Sequence, residues 1–247
     1  MAQTLTRKQR EIQDREQLIL QTARDMLTER GYLGLSMDAI AEALEYSKGT
    51  IYNHFSCKEE ILIALAVETM SKRSEMFVKA ANRPGQSRER LAGVGVAAEL
   101  FVRLYPEYFQ VEQIIHSTSM WEKTSEKRRS ALRGCETRCM GIVAGIIRDG
   151  ISRRELELPE GASPEDLVFG LWSQTFGAYA IIATSDTLEH LGINDPFTAV
   201  RYNINRMLDG YGWRPFSTEF DYLGLFDQLL EEIFPEEQKL IRGSFAL

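Results

Sequence analysis

Apolar residues recur at three- and four-residue spacing along nearly the whole chain, and strand-like alternation bounded by turn residues is hard to find. That single pattern predicts an all-α protein. Helices are expected over residues 10–30, 37–44, 48–55, 58–80, 87–105, 106–118, 124–154, 164–190, 196–211 and 218–234, with an acidic coda after them. Pro106, Pro164 and Pro196 each stand at an expected first helical position, where a fixed φ and a missing N–H do no harm. The first helix carries Ile12, Ile19, Ala23, Met26 and Leu27 on one stripe, and Gly31 stands where its C-terminal cap belongs. Ser36 is suited to cap the second helix, with Asp38 facing the positive end of that helix's dipole.

The second and third helices are only about two turns long, too short to persist alone. They need the first helix to close a three-helix core, and Met37, Ile40, Ala41 and Leu44 on one and Ile51 and Phe55 on the other supply its apolar positions. Left outside on the third helix are Lys48, Gly49, Thr50, Tyr52, Asn53 and His54. An outer face of ammonium, hydroxyl, amide and imidazole groups suits phosphates and base edges. A short helix so placed fits a recognition helix entering the major groove N-terminal end foremost. Ser36 and Lys58 stand at helix N-termini, which attract anions.

A net charge of −7 looks unfavourable for a nucleic-acid partner, but its distribution matters more than its sum. Residues 1–58 carry eight Lys or Arg and eight Asp or Glu, so the whole negative excess lies in residues 59–247. The first ten residues hold three cations and no anion. The N-terminal segment is therefore the part fit to meet phosphates. No apolar stretch follows the basic N-terminus as in a signal peptide, and no run reaches the roughly 18 apolar residues of a membrane span, so a cytoplasmic protein without membrane contact is expected. Cys57, Cys135 and Cys139 imply no disulfide framework, and with three histidines in the chain no metal site or cofactor is expected. No phosphate-cradling glycine loop, HExxH pair or strand-turn-helix setting for a nucleophilic serine is present, which argues against an enzyme.

The stretch SMDAIAEALEYSKGTIYNHFSCKEEIL, Ser36 to Leu62, resembles the DNA-binding domain of the TetR family of bacterial transcriptional regulators. Ile19-Leu20, Ala23, Met26-Leu27 and Arg30-Gly31-Tyr32 also fit that family's first helix. The resemblance covers roughly residues 12–65. It implies that Ser36, Tyr52, His54 and Lys58 touch phosphates and that Lys48, Thr50 and Asn53 lie nearest the bases, with Ser47 and Gly49 completing the DNA-facing set. Where the family usually has glycine in the turn, this chain has Glu45. A left-handed residue there would cost on the order of 1 kcal/mol.

Two domains are expected, a helix-turn-helix domain over 1–58 and an effector-binding and dimerisation domain over 59–247, with the fourth helix connecting them. By family analogy the last two main helices pair with their copies. The helix from Pro164 is apolar on nearly all sides and is expected to be buried all round, with Gly170 and Gly177 permitting close approach. An effector pocket is expected among Tyr105, Phe109, His116, Trp121, Trp172, Thr175, Phe176 and Tyr179, an aromatic set with a few polar handles that suits a small apolar or aromatic molecule. Together these features predict a homodimeric repressor, released from a palindromic double-stranded operator by such an effector.

Overall fold

The computed structural model describes residues 6–117, 120–185 and 187–244. Among them there are eleven α-helices, two short 3-10 turns and no strand. The helices are α1 (Arg7–Gly34), α2 (Met37–Ala43), α3 (Lys48–His54), α4 (Lys58–Ala81), α5 (Ser87–Leu104), α6 (Pro106–Ser117), α7 (Glu126–Ser152), α8 (Pro164–Thr184), α9 (Pro196–Gly210), α10 (Tyr222–Ile233) and α11 (Pro235–Ser244). Two compact units result. One takes the chain to Met70 together with Glu107–Cys135, the other Ser71–Pro106 and the chain from Glu136 onward, so α4 begins in the first and ends in the second.

The first unit is organised around one apolar cluster. Ile19, Ala23 and Leu27 of α1, Ile40 of α2, Ile51 of α3 and Phe55 after it are buried against Ile61, Leu62 and Leu65 of α4. Val111 and Ile115 of α6 and Leu132 of α7 complete it. The α1 stripe begins at Ile19, because Ile12 is exposed in the free N-terminal turns. Helix α1 starts earlier than its apolar pattern, at a capping box in which Thr6 and Gln9 satisfy each other's backbone N–H groups. It also runs past Gly31, which takes a left-handed φ of 66° and kinks the helix, so the glycine marks a bend followed by one further turn.

In the second unit α10 and α11 pack on α5, and α8 packs on α9. A polar knot surrounds Arg88 near the start of α5, only 1% exposed. The guanidinium donates to the carbonyls of Trp213, Pro215 (2.8 Å) and Asn205 (3.0 Å), and pairs with Asp209 at 2.8 Å. The ring of Tyr222 lies 4.3 Å from the guanidinium carbon. Trp213, fully buried, donates its indole N–H to Ser87 at 3.0 Å. One side chain thus ties α5 to the end of α9 and the segment leading into α10.

Helix α8 ends at Thr184, and a 3-10 turn over Glu189–Leu191 replaces the last turns expected of it. Helix α10 starts at Tyr222 because Asp221 caps it, accepting from the N–H groups of Leu223 and Gly224. Part of the expected acidic coda is helix α11, opened by Pro235. The expectation that α8 is buried on all sides is corrected. Its buried residues are Leu167, Val168, Leu171 and Tyr179, on one face, while Phe169 and Ile181 are 62% and 57% exposed. By length and composition α8 is apolar enough to cross a membrane, and little of it is covered within the chain.

Arg88→Ala should lower stability by roughly 3–5 kcal/mol, because it strands buried carbonyls and the Asp209 carboxylate. Urea unfolding measures this, and a loss below about 1 kcal/mol would show that the knot is not a stabilising centre.

Candidate nucleic-acid interface

Each polar group of the α2–turn–α3 segment is placed by a cap or by the core beneath it. Ser36 caps α2, its Oγ accepting from the Ala39 N–H at 3.1 Å. Ser47 caps α3, accepting from the Thr50 N–H at 3.1 Å, and its hydroxyl lies 2.8 Å from that of Thr50. Between the two helices Glu45 has φ 54°, the left-handed conformation at the position where glycine is usual in the resembled family. The main chain closes the turn with Tyr46 N–H donating to Ala41 O at 2.9 Å.

With Ile51 and Phe55 buried, the opposite face of α3 is solvent-facing. Lys48, Gly49, Tyr52 and Asn53 are exposed, and Thr50 and His54 are half-buried. A Cβ on Gly49 would meet only Ser47 Oγ, at 3.8 Å, so no neighbour within the chain demands a glycine there. Lys48 is not a free cation. Its Nζ lies 2.6 Å from the Asp38 carboxylate of α2. The hydrogen bond and the charge of Asp38 hold its pKa above the ordinary lysine value.

Lys58 stands differently from the others. It is half-buried, its Nζ directed at the carbonyls of Tyr32 (3.4 Å) and Leu35 (3.3 Å) and lying 4.1 Å from the Tyr32 ring centroid. It caps the carbonyl end of the kinked α1. Neither this contact nor the Asp38–Lys48 pair is legible in the sequence, since each joins residues on different helices with no periodic relation. Nearby, Arg15 of α1 stacks on Tyr46, 5.9 Å from its ring centroid.

The expected effector residues fall in both units. In the first, Phe109 is buried, and Trp121 and His116 are exposed. In the second, Tyr105 lies 5.8 Å from Phe101, Trp172 lies 6.2 Å from Phe176 and Tyr179 lies 5.9 Å from Phe197, between ring centroids. The Thr175 hydroxyl is 2.8 Å from the Leu171 carbonyl one turn earlier. Burial pushes the Tyr179 phenol well above its ordinary pKa, with the Glu99 carboxylate adding to the effect. A cleft of about 450 Å³ in the first unit lies between the Gln21–Glu29 stretch of α1 and Glu107 and Tyr108, and none of the eight residues lines it.

Residues 19–65 match the profile described as "Bacterial regulatory proteins, tetR family". The repressor AcnR of Corynebacterium diphtheriae is 38% identical over 69 residues, 28% of this chain and 36% of that protein. The regulator UidR of Escherichia coli K12 is 33% identical over 69 residues, 28% of this chain and 35% of that protein. The matched segment thus spans about a third of these curated relatives. Solved structures agree over more of the fold. A tetR-family regulatory protein from Rhodococcus RHA1 superposes with TM-score 0.62 at 16% identity, over 79% of this chain and 96% of that one. FadR of Bacillus subtilis, solved in complex with stearoyl-CoA, superposes with TM-score 0.57 at 21% identity, over 76% of this chain and 94% of that one.

Proposed function

We propose that this chain, which belongs to the TetR family, is a dimeric DNA-binding transcriptional regulator, a repressor released from a palindromic operator by a small apolar or aromatic effector. The observation that carries the reading is the outer face of α3. A two-turn helix anchored by Ile51 and Phe55 presents only Lys48, Gly49, Thr50, Tyr52, Asn53 and His54 outward, inside the segment that matches the family profile. Ser36, Ser47, Tyr52, His54 and Lys58 take the phosphates, and Lys48, Thr50 and Asn53 take base edges. Gly49 keeps the helix start slim where the DNA comes closest. Reaching a base requires Lys48 to exchange Asp38 for it, which lowers the net gain from that contact.

Selection from randomised duplex DNA should recover a two-fold site with half-sites about 34 Å apart. No enrichment, with no duplex binding even at low salt, refutes the reading. Tyr52→Phe should weaken binding to all sequences alike, by about 1 kcal/mol. Lys58→Ala should do the same and shrink the slope of log K against log salt by about 1 per protomer. Substitutions at Asn53 or Lys48 should change which sequences are preferred. An unchanged affinity and salt slope for Lys58→Ala would mean that its only task is capping α1.

The dimer reading is supported by the uncovered face of α8. Phe169, Ser173, Gly177, Ala180 and Ile181 follow one another at helical spacing, and a large apolar face of this kind calls for a partner. A second copy fits, since a palindromic site needs two recognition helices. An added Cβ at Gly177 meets nothing within 4 Å, so the single chain leaves room for the start of a side chain there, and Gly177→Leu directs its bulk at the proposed partner. It should nevertheless dissociate the dimer in sedimentation and reduce operator binding with it. A variant that remains dimeric places Gly177 away from the interface.

For the effector, the candidates are Tyr105, Trp172, Thr175, Phe176 and Tyr179 in the second unit and Phe109, His116 and Trp121 in the first, and their aromatic character favours an apolar or aromatic molecule. Two long helices, α4 and α7, run through both units, and α4, which follows α3 directly in the chain, is the element through which ligand and DNA would influence each other. The effector can release DNA only by its preference for the DNA-incompetent state, and DNA must weaken its binding by the same factor. Titrating apolar and aromatic ligands against the fluorescence of Trp121 and Trp172, with and without operator, should find ligands with weaker apparent affinity in the presence of operator. If every binder shows identical affinity in both titrations, this coupling is wrong.

A further inference from the structure

We infer that the free N-terminal turns of α1 form a second DNA-contacting element, a helical arm in which Lys8 and Arg15 take backbone phosphates beside the turn that leads into α3. The inference rests on the DNA-binding reading above, and the arm lies outside the residues 19–65 that match the family profile.

Four observations support the arm. Residues 6–15 are all exposed, so these turns of helix cover no core and their place in the sequence is not explained by packing. They are nonetheless built as helix, with a side-chain capping box at Thr6 and Gln9 to hold the first turn. Arg15 stacks on Tyr46, the residue immediately before the Ser47 cap of α3, so α1 runs beside the end of α3 assigned to the groove. Finally, the charges sort by face. At about 100° per residue Lys8 lies within about 20° of Arg15 around the helix, whereas Arg10 is turned about 140° away.

On the Arg15 face, Glu11 is neutralised by Arg7 at 2.8 Å. Among the described residues no carboxylate pairs with Lys8 or Arg15. Glu16, about 100° around the helix from Arg15, is occupied by Arg128 at 2.7 Å, and Asp14 lies about 100° to the other side, toward Arg10. What remains toward the α2–α3 turn is two cations separated by about 10 Å of helix axis, enough to reach different phosphates. Exposed cations of this kind contribute little to folding, and their contribution to binding polyanions comes from released counterions. Recognition would be of the phosphate backbone without regard to sequence.

The test uses the full-length chain and a fluorescent random-sequence duplex of about 30 base pairs, long enough for two half-sites a helical turn apart. Binding is followed by anisotropy across a salt series. The double variant Lys8→Ala with Arg15→Ala should weaken binding and reduce the slope of log K against log salt by about 2 per protomer. Arg10→Ala, on the far face and equal in charge to either single change, should leave the slope within about 0.3 of wild type. Circular dichroism should be unchanged for all variants and urea midpoints nearly so, since the stack of Arg15 on Tyr46 is the one packing contact removed and no core side chain changes. A double variant with the wild-type slope, or an Arg10→Ala loss as large as half that of the double variant, overturns the arm. A wild-type chain that binds no duplex at low salt overturns the DNA-binding reading itself, and with it the arm.

Discussion

Everything in the N-terminal unit depends on the burial of Ile51 and Phe55. Helix α3 has seven residues, and a helix of that length gains too few hydrogen bonds to repay the cost of its first turn. It exists because Ile51 is inaccessible to solvent and Phe55 nearly so, both seated among Ile19, Ala23, Ile40 and Leu62. Burying two side chains of that size stabilises the unit by roughly 3–6 kcal/mol. That anchoring fixes the rotation of α3 about its axis, and the rotation decides which side chains face outward. The outer face is a consequence of the core beneath it.

The same dependence explains which features can be read from the sequence. Periodicity and caps are local, so the α2–turn–α3 segment emerges from the sequence almost as it stands in the structure. Ser36 and Ser47 cap where cap chemistry requires, and Glu45 takes the left-handed conformation that its position demands. Gly31 is recognisable as a special backbone position, though what it does is bend α1 before one more turn. The partners of Lys48 and Lys58 could not be read. Asp38 and the Tyr32 carbonyl come near only once three helices have packed, and no spacing rule predicts them.

Helix α8 shows the opposite failure. A nearly uniform apolar sequence says that a helix must be covered but not by what. Counting hydrophobic residues predicts burial on every side; within one chain, α8 buries the face bearing Leu167, Leu171 and Tyr179 and leaves Phe169 and Ile181 in solvent. The discrepancy is informative because aromatic and β-branched side chains left in solvent along one face of a helix are costly. On the dimer reading proposed above, the sequence pattern of α8 carries the demand of a partner that a single chain cannot display. The Arg88 knot escaped the sequence for a related reason: most of its acceptors are backbone carbonyls, which have no residue signature.

Electrostatics sets the remaining constraint. The chain is acidic overall, yet mobile ions screen charges beyond about 8 Å at physiological ionic strength. A phosphate approaching α3 therefore responds to its immediate surroundings far more than to the distant excess. Those surroundings are balanced rather than basic. Asp38 offsets Lys48, Arg7 offsets Glu11, and Glu59 beneath the surface is matched by Lys123 at 3.1 Å. On the proposed reading, such pairs lower the gain from charge alone at α3, and the unpaired Lys8 and Arg15 of α1 supply part of what they withhold. Discrimination on that reading comes from short-range groups that work only in register, those of Thr50 and Asn53 together with Lys48 once it leaves Asp38. The acidity of the rest of the chain reinforces this by disfavouring any other docking surface.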